Sequence, residues 1–408
     1  MQFGTIGPDL FIGTAGADAY SGLEGNDTVS GLGGDDELHL GPGADSAAGG
    51  AGDDFITGSV GNDSIRGGAG DDRLFGGTNL DNLDSGDDEI TGGDGNDLIL
   101  GGDGNDVVYG EAGDDQLNGN TGSDRVDGGP GADFVRGGQG ADTVLGGLGD
   151  DWHVNGNLGD DLVYGGDGND TLFGGQGEDR IFGEAGDDWA SGDLGRDEIV
   201  GGLGNDTILG GPGGGNLDGD DRMALASNVE PPGGDDSIVG GDGREFIDGG
   251  AGDDTLIGGG DDDDLRGEFG RDRLLGGDGN DRLVGGPGRD TLVGGAGADT
   301  MAGDIWDFIP VRETNYFVFD HASGADRIVD FDVTHDIIVL RANINGSGID
   351  TAAEAIAAYG GLVTAGGAPF DLFIDLGSGN RVQLNIPVGQ LTAANFRFST
   401  DPGFDVFF

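Results

Sequence analysis

Nine residues form the unit in which this chain repeats. From Gly4 to about Ala302 the phrase G-G-x-G-x-D-x-U-x, with U a large apolar residue, recurs in nearly unbroken register. Each unit supplies two or three glycines, one acid and one apolar side chain, so no unit can bury a core alone. A period this short therefore requires a solenoid, in which stacked units share one continuous interior.

With position 1 at Gly4, the sixth position is acidic in unit after unit. The first block carries Asp9, Asp18, Asp27, Asp36, Asp45, Asp54, Asp63 and Asp72. Seven extra residues within Thr78–Ser85 precede Asp88, Asp97, Asp106, Asp115, Asp124, Asp133, Asp142 and Asp151. One extra residue near Asn155 precedes Asp161, Asp170, Asp179, Asp188, Asp197 and Asp206. Residues 210–232 break the pattern, which returns as Asp236, Glu245, Asp254, Asp263, Asp272, Asp281, Asp290 and Asp299. None of these thirty positions holds Asn or Ser. Simple turn capping by a side-chain oxygen would accept either residue; the strict demand for a carboxylate points to a cation.

Position 8 is the inward one, with Val29, Ile65, Ile99, Leu172 and Leu283 typical, while Ala47 and Ala190 thin the core. Near the single-residue insertion His153 falls into that slot, and either Val154 or Trp152 can replace it in a local bulge. Glycine suits the turn half of each unit because it adopts positive φ without strain, and Asn or Asp at position 5 is next best. Six residues of turn and three of strand make half a coil. Coils of about eighteen residues stacked at the ~4.8 Å strand spacing give a rod about 80 Å long.

Charge supports the same reading. Acids number 79 against 18 bases, every base is Arg, and the formal charge is −61. Such a chain repels nucleic acid and anionic lipid and attracts cations. Its 96 glycines and 34 % apolar content leave the metal-free repeats a disordered polyanion. A turn that offers little except carbonyl and carboxylate oxygens suits Ca²⁺, which takes six to eight hard oxygen ligands. If a site forms between each unit and the next but one, about 20–28 ions bind, and at about 22 to 28 sites they bring the charge to about −17 to −5.

The units GGDGNDLIL at Gly92–Leu100 and GGDGNDTLF at Gly165–Phe173 resemble the RTX, or hemolysin-type, calcium-binding repeats. The resemblance implies a parallel β-roll with each Ca²⁺ between the turns of repeats n and n+2. Its ligands would be carbonyls at positions 2 and 4 and the acid at 6 of one turn, then carbonyls at 1 and 3 and the acid at 6 of the next. For one pair these are Gly93, Gly95 and Asp97 with Gly110, Ala112 and Asp115. Departures are expected to weaken particular turns: Glu245 is one methylene too long, Leu40 and Pro231 stand at position 1, and Asp261 replaces the glycine of position 4.

From about Gly303 glycine thins and strands alternate: NYFVF at Asn315–Phe319, DRIVDF at Asp326–Phe331, DIIVL at Asp336–Leu340, then a DLFIDL and RVQLNI hairpin, with a short helix over Ala352–Tyr359. The expected fold is thus all-β: a parallel β-roll over 1–302 and a small β-rich domain with a short helix over 303–408. The segments SGADRIVDF, THDIIVL and LTAANFRF are similar to the domain that follows the repeats in serralysin-type secreted metalloproteases. The ending Phe404-Asp405-Val406-Phe407-Phe408 resembles an uncleaved type I secretion signal, while Met1–Ile12 has no signal-peptide character and no stretch is apolar enough to span a membrane. These features imply a secreted, extracellular protein whose repeats thread an exporter unfolded and fold on calcium outside.

Catalytic signatures are missing. The four histidines His39, His153, His321 and His335 are scattered, with no H-E-x-x-H, and no serine stands in G-x-S-x-G. Without cysteine there is no disulfide or thiolate site. A non-enzymatic surface, matrix or adhesive rod is the reading favoured. The alternative is an acidic-polysaccharide-binding module, or a cryptic enzyme on such a polymer. It rests on arginines at positions 7 and 9, namely Arg66, Arg73, Arg125, Arg136, Arg180, Arg266, Arg273 and Arg282.

Overall fold

The computed structural model describes residues 1–77, 86–220, 233–303, 313–319, 324–341, 371–377, 380–385 and 391–399. The chain divides into two compact units, Met1–Gly202 and Leu203–Phe408, and each is an all-β parallel solenoid.

In the first unit successive strands alternate between two sheets, and each pairs in parallel with the strand one coil further on. Leu98–Asp103 lies beside Gln116–Thr121 with Ile99 opposite Leu117, while Val107–Ala112 lies beside Arg125–Pro130 with Val108 opposite Val126. An eighteen-residue coil thus places every eighth position over its equivalent. Ile99, Val108, Leu117 and Val126 are buried between the sheets, one side chain per nonapeptide. The turns close tightly enough to need left-handed backbone, as at Gly95 with φ 136°.

Interruptions leave the sheets intact. Across 78–85 the register simply lengthens, with Ile99 opposite Leu74. At the single insertion Val135 faces Val154, which is fully buried, and Trp152 is the extra residue, 58 % exposed. Val154 therefore takes the inward slot that His153 would fill by counting.

The second unit corrects the reading of 210–232 as one break. Gly215–Asp218 is a strand paired with Glu245–Asp248, and Leu217 is buried at its inward position. Gly210–Asp218 is therefore a further repeat, with Gly215 in the acidic place. A methyl group at Gly219 would collide with the Asp236 carboxylate and the Gly249 carbonyl, the signature of position 1. Gly219, not Pro231, begins the unit that Asp236 completes. Only 221–232, outside the described residues, separates the two parts.

Parallel pairing also passes Gly303. Tyr316–Phe319 lies beside Thr291–Ala296 with Phe317 opposite Leu292, Ala325–Ile328 pairs with Thr300–Ala302, and Ile337–Arg341 pairs with both Tyr316–Phe319 and Phe396–Ser399. The expected hairpin forms between Asp371–Gly377 and Asn380–Asn385. Among the described residues the one helix is a 3₁₀ turn, Ala393–Asn395, closed by a Thr392 and Asn395 capping box. The helix expected over Ala352–Tyr359 lies outside them. No helix among the described residues is long and apolar enough to cross a membrane.

Candidate metal centre

Each sixth-position acid stands where a turn enters a strand, and stacking the coils stacks the acids. One carboxylate oxygen is committed. The Asp97 N–H donates to Asp115 Oδ1 at 2.7 Å, and the Asp115 N–H donates to Asp133 Oδ1 at 2.8 Å. The ladder survives every insertion that it meets: Asp63 donates to Asp88 at 2.7 Å, Asp142 to Asp161 at 2.8 Å and Asp206 to Asp236 at 2.8 Å. From Asp27 to Asp299 the sixth-position acids are at most 3 % exposed. Asp9 and Asp18, in the first coils, are half-buried.

The second oxygen is the informative one. From Asp27 through Asp179, and again at Asp236, Asp254, Asp272 and Asp281, Oδ2 is buried without a hydrogen-bond partner. A buried carboxylate oxygen with no donor is costly unless a cation meets it. Burial accordingly pushes the Asp115 carboxyl up to about 7, that of Asp88 to about 8 and that of Asp272 to about 9.

The glycine at position 1 explains where a cation would go. At Gly165 an added Cβ would lie 2.5 Å from Asp170 Oδ2 and 2.7 Å from the carbonyl oxygen of Gly183, one coil on. No positive φ is involved there, so the missing side chain provides space instead of conformational freedom. For the pair Asp97 and Asp115, the Gly95 carbonyl points forward to Gly113 and the Gly110 carbonyl points back to Gly92. Carbonyls of position 2 also point forward, as Gly68 does toward Gly93. The Ala112 carbonyl accepts the Gly95 N–H at 2.8 Å and keeps its second lone pair. Among the described residues no cluster of three or more His, Asp or Glu side chains gathers anywhere. Wherever two acids stack, the gap instead joins two carboxylates to backbone carbonyls, an all-oxygen set that fits Ca²⁺.

A sequence profile described as the RTX calcium-binding nonapeptide repeat matches residues 3–47, 48–83, 84–117, 118–152, 155–190, 182–217, 233–256, 239–274 and 275–305. The chain belongs to the RTX calcium-binding repeat family. Its repeats bind Ca²⁺, and with so many of them it binds many ions. No curated protein matches it significantly.

Several features of this RTX chain escape a count of G-G-x-G-x-D phrases. Position 5 forms a second, exposed ladder running the other way: Asp53 Oδ1 accepts the Asp71 N–H at 3.0 Å, and Asp71 Oδ1 accepts the Asn96 N–H at 2.9 Å. The acid ladder extends past Asp299, whose N–H donates to Asp326 Oδ1 at 3.2 Å, and past Asp290, whose N–H donates to Asn315 Oδ1 at 2.9 Å. The Asn315 N–H in turn donates to Asp336 Oδ1, while Asp336 Oδ2 accepts from Asp332 at 2.7 Å, which ends the column in an ordinary turn. Gly324-Ala325-Asp326-Arg327-Ile328 repeats the G-A-D-x-U phrase of 131–135 and was legible; Asn315 carries no such signal.

The anticipated weak turns resolve individually. Asp261 adopts the glycine conformation, φ 69°, and aims its carbonyl at Gly279 as a glycine would. Glu245 stacks on Gly215, so that gap holds one carboxylate only, and burial together with the adjoining Asp263 carboxyl pushes Glu245 up. Asp220, unremarked in the sequence, is buried beside this region. Its Oδ2 accepts the Ala251 N–H at 2.7 Å.

The arginines are mostly occupied. Arg125 pairs with Asp127 at 2.9 Å, Arg180 with Glu198 at 3.0 Å, Arg282 with Asp264 at 2.7 Å, and Arg136 lies 4.3 Å over the Phe134 ring. Arg180–Glu198 and Arg282–Asp264 balance charge between neighbouring coils, whereas Arg125–Asp127 and Arg136–Phe134 lie within one strand.

Proposed function

We propose that this protein leaves the cell unfolded by type I secretion and folds on extracellular Ca²⁺ into a non-enzymatic surface, matrix or adhesive component. The observation that carries the reading is the column of buried Oδ2 atoms without donors. At cytosolic calcium, far below the ~10⁻⁴–10⁻³ M constants of extracellular sites, such a column is untenable and the chain stays open. Outside the cell, mass action completes it. The thirty sixth-position acids, with carbonyls such as those of Gly93, Gly95, Gly110 and Ala112, supply the ligands for about 20–28 ions.

Residues 303–408 serve as cap and export segment. The resemblance of SGADRIVDF, THDIIVL and LTAANFRF to the domain after serralysin repeats supports this role. A reporter fused to residues 303–408, expressed with and without a type I exporter, tests the export step. Secretion is expected only with the exporter; equal secretion in both hosts, or in neither, refutes it.

A further inference from the structure

One sheet face of the first unit differs from the rest of this polyanion. Eight strands, from Phe55–Thr57 to Trp189–Leu194, lie side by side in parallel register. Their outward positions, 7 and 9 of each repeat, hold no acid at all. On the opposite sheet the matching stretch carries Glu89, Asp127 and Glu198. In a chain of net charge −61, two columns of outward positions without an acid over this length mark a surface with its own chemistry, although Asp103 and Asp193 stand at its edge, the latter accepting from Ser191 at 2.7 Å.

Six of the eight coils on that face carry a ring, Phe55 and Phe75 at one end and Phe134, His153, Phe173 and Trp189 at the other, with the two coils between them, at 98–100 and 116–118, bearing none. Phe134 and His153 have centroids 4.6 Å apart, His153 and Phe173 4.9 Å, and Phe173 and Trp189 5.1 Å. Two of these three contacts are tilted, by 46° and 59°, so the rings do not seal one another into a closed column. Trp152, pushed out by the one-residue insertion, leans on Phe134 at 4.6 Å and stays 58 % exposed. Amide groups of Gln116, Asn118 and Asn155 lie at the same outward positions.

We propose that this face docks an extended, uncharged polysaccharide running along the stack. Aromatic rings pack against the apolar faces of sugars and amides bond hydroxyls, which is the mixture present here. The rungs recur at the ~4.8 Å strand spacing, comparable to one sugar of an extended 1,4-linked chain. Other occupants fit less well. A polyanion would meet only two cations here, Arg73 and Arg136, the latter already held over the Phe134 ring, and is repelled by the acids everywhere else; a bilayer has no use for a face interspersed with amides. Seven steps of ~4.8 Å by a width of ~10 Å give about 340 Å² on each partner. A pair of copies meeting there would bury about 700 Å² in total, below the roughly 1,000 Å² of a stable interface. The inference requires only the folded repeats and is independent of how the protein is exported.

Two of the three tryptophans, Trp152 and Trp189, lie on this face, so quenching of intrinsic fluorescence reads it directly. The full chain in millimolar calcium is titrated with cellohexaose, mannohexaose and xylohexaose, and with alginate as the anionic arm. At least one neutral hexasaccharide is expected to quench saturably. Trp189→Ala and Phe173→Ala should each weaken it tenfold or more without changing the calcium count, while Tyr164→Ala on the other sheet should leave it unchanged. Absence of saturable binding by all three neutral sugars would overturn the proposal. So would equal binding by wild type and both face variants, preference for alginate, or dimerisation of the wild type that Trp189→Ala abolishes.

Discussion

Replacing Asp115 by Asn separates metal ligation from turn capping at a single atom. Asparagine keeps an Oδ1 to accept the Asp97 N–H, now at 2.7 Å, and keeps the N–H that donates to Asp133. It loses the charge and puts an NH₂ group where the donorless Oδ2 stands. Asp115 borders two gaps, one shared with Asp97 and one with Asp133, so both lose one of their two carboxylates. Breaking a buried charge pair costs roughly 3–5 kcal/mol. Spread over a cooperative block taking up on the order of ten ions, that loss raises the calcium midpoint only about twofold, so the midpoint is a blunt readout. The ion count is sharper: native mass spectrometry or equilibrium dialysis should find two fewer ions in Asp115→Asn, with the β-structure retained at saturating calcium. An unchanged count and midpoint would mean that the sixth-position acids act only as hydrogen-bond acceptors, and the reasoning would fail.

Other expectations follow from the same geometry. Gly165→Ala should lose calcium at its gap despite a tolerant backbone, because its methyl group meets Asp170 Oδ2 and the Gly183 carbonyl; calorimetric titration identical to wild type would contradict this. Gly215→Asp, on an extended strand facing Glu245, should raise the ion count, and a constant count would show that the gap is closed for another reason. Leu172→Ala, at a fully buried inward position, should cost about 2–5 kcal/mol and raise the calcium needed for folding, as read by circular dichroism. pH acts with opposite signs on the two forms. Buried carboxyls raised to about 7–9, as at Asp63, Asp115, Asp236 and Asp272, favour the metal-free fold at low pH and oppose it as pH rises through that range. In EGTA, acidification from about pH 7.5 to 5 should therefore increase β-signal, whereas in calcium it should release ions, since protons compete for the same oxygens. A flat metal-free signal over that range would refute the assignment.

Much of this was legible because the period is short and each position has one physical task. Position 1 lacks a side chain where two oxygens converge, position 6 spans the coils, and position 8 fills the interior. Reading failed where the task was kept but the residue changed. Gly215 holds the sixth place without an acid, Asn315 holds it as an amide, and Gly219 opens a unit whose remainder follows only after 221–232. Counting along the chain cannot find such positions, because inter-coil pairing defines them. Trp152 illustrates the point: only the match of Val154 to Val135 shows which of three neighbouring side chains was inserted.

Far-ultraviolet circular dichroism of the full chain, recorded in excess EGTA and again in millimolar calcium at neutral pH, addresses the central claim most directly. Parallel β-structure should be absent in the first condition and complete in the second, with a steep transition between them. Equal β-signal in both would show that these stacked carboxylates need no metal.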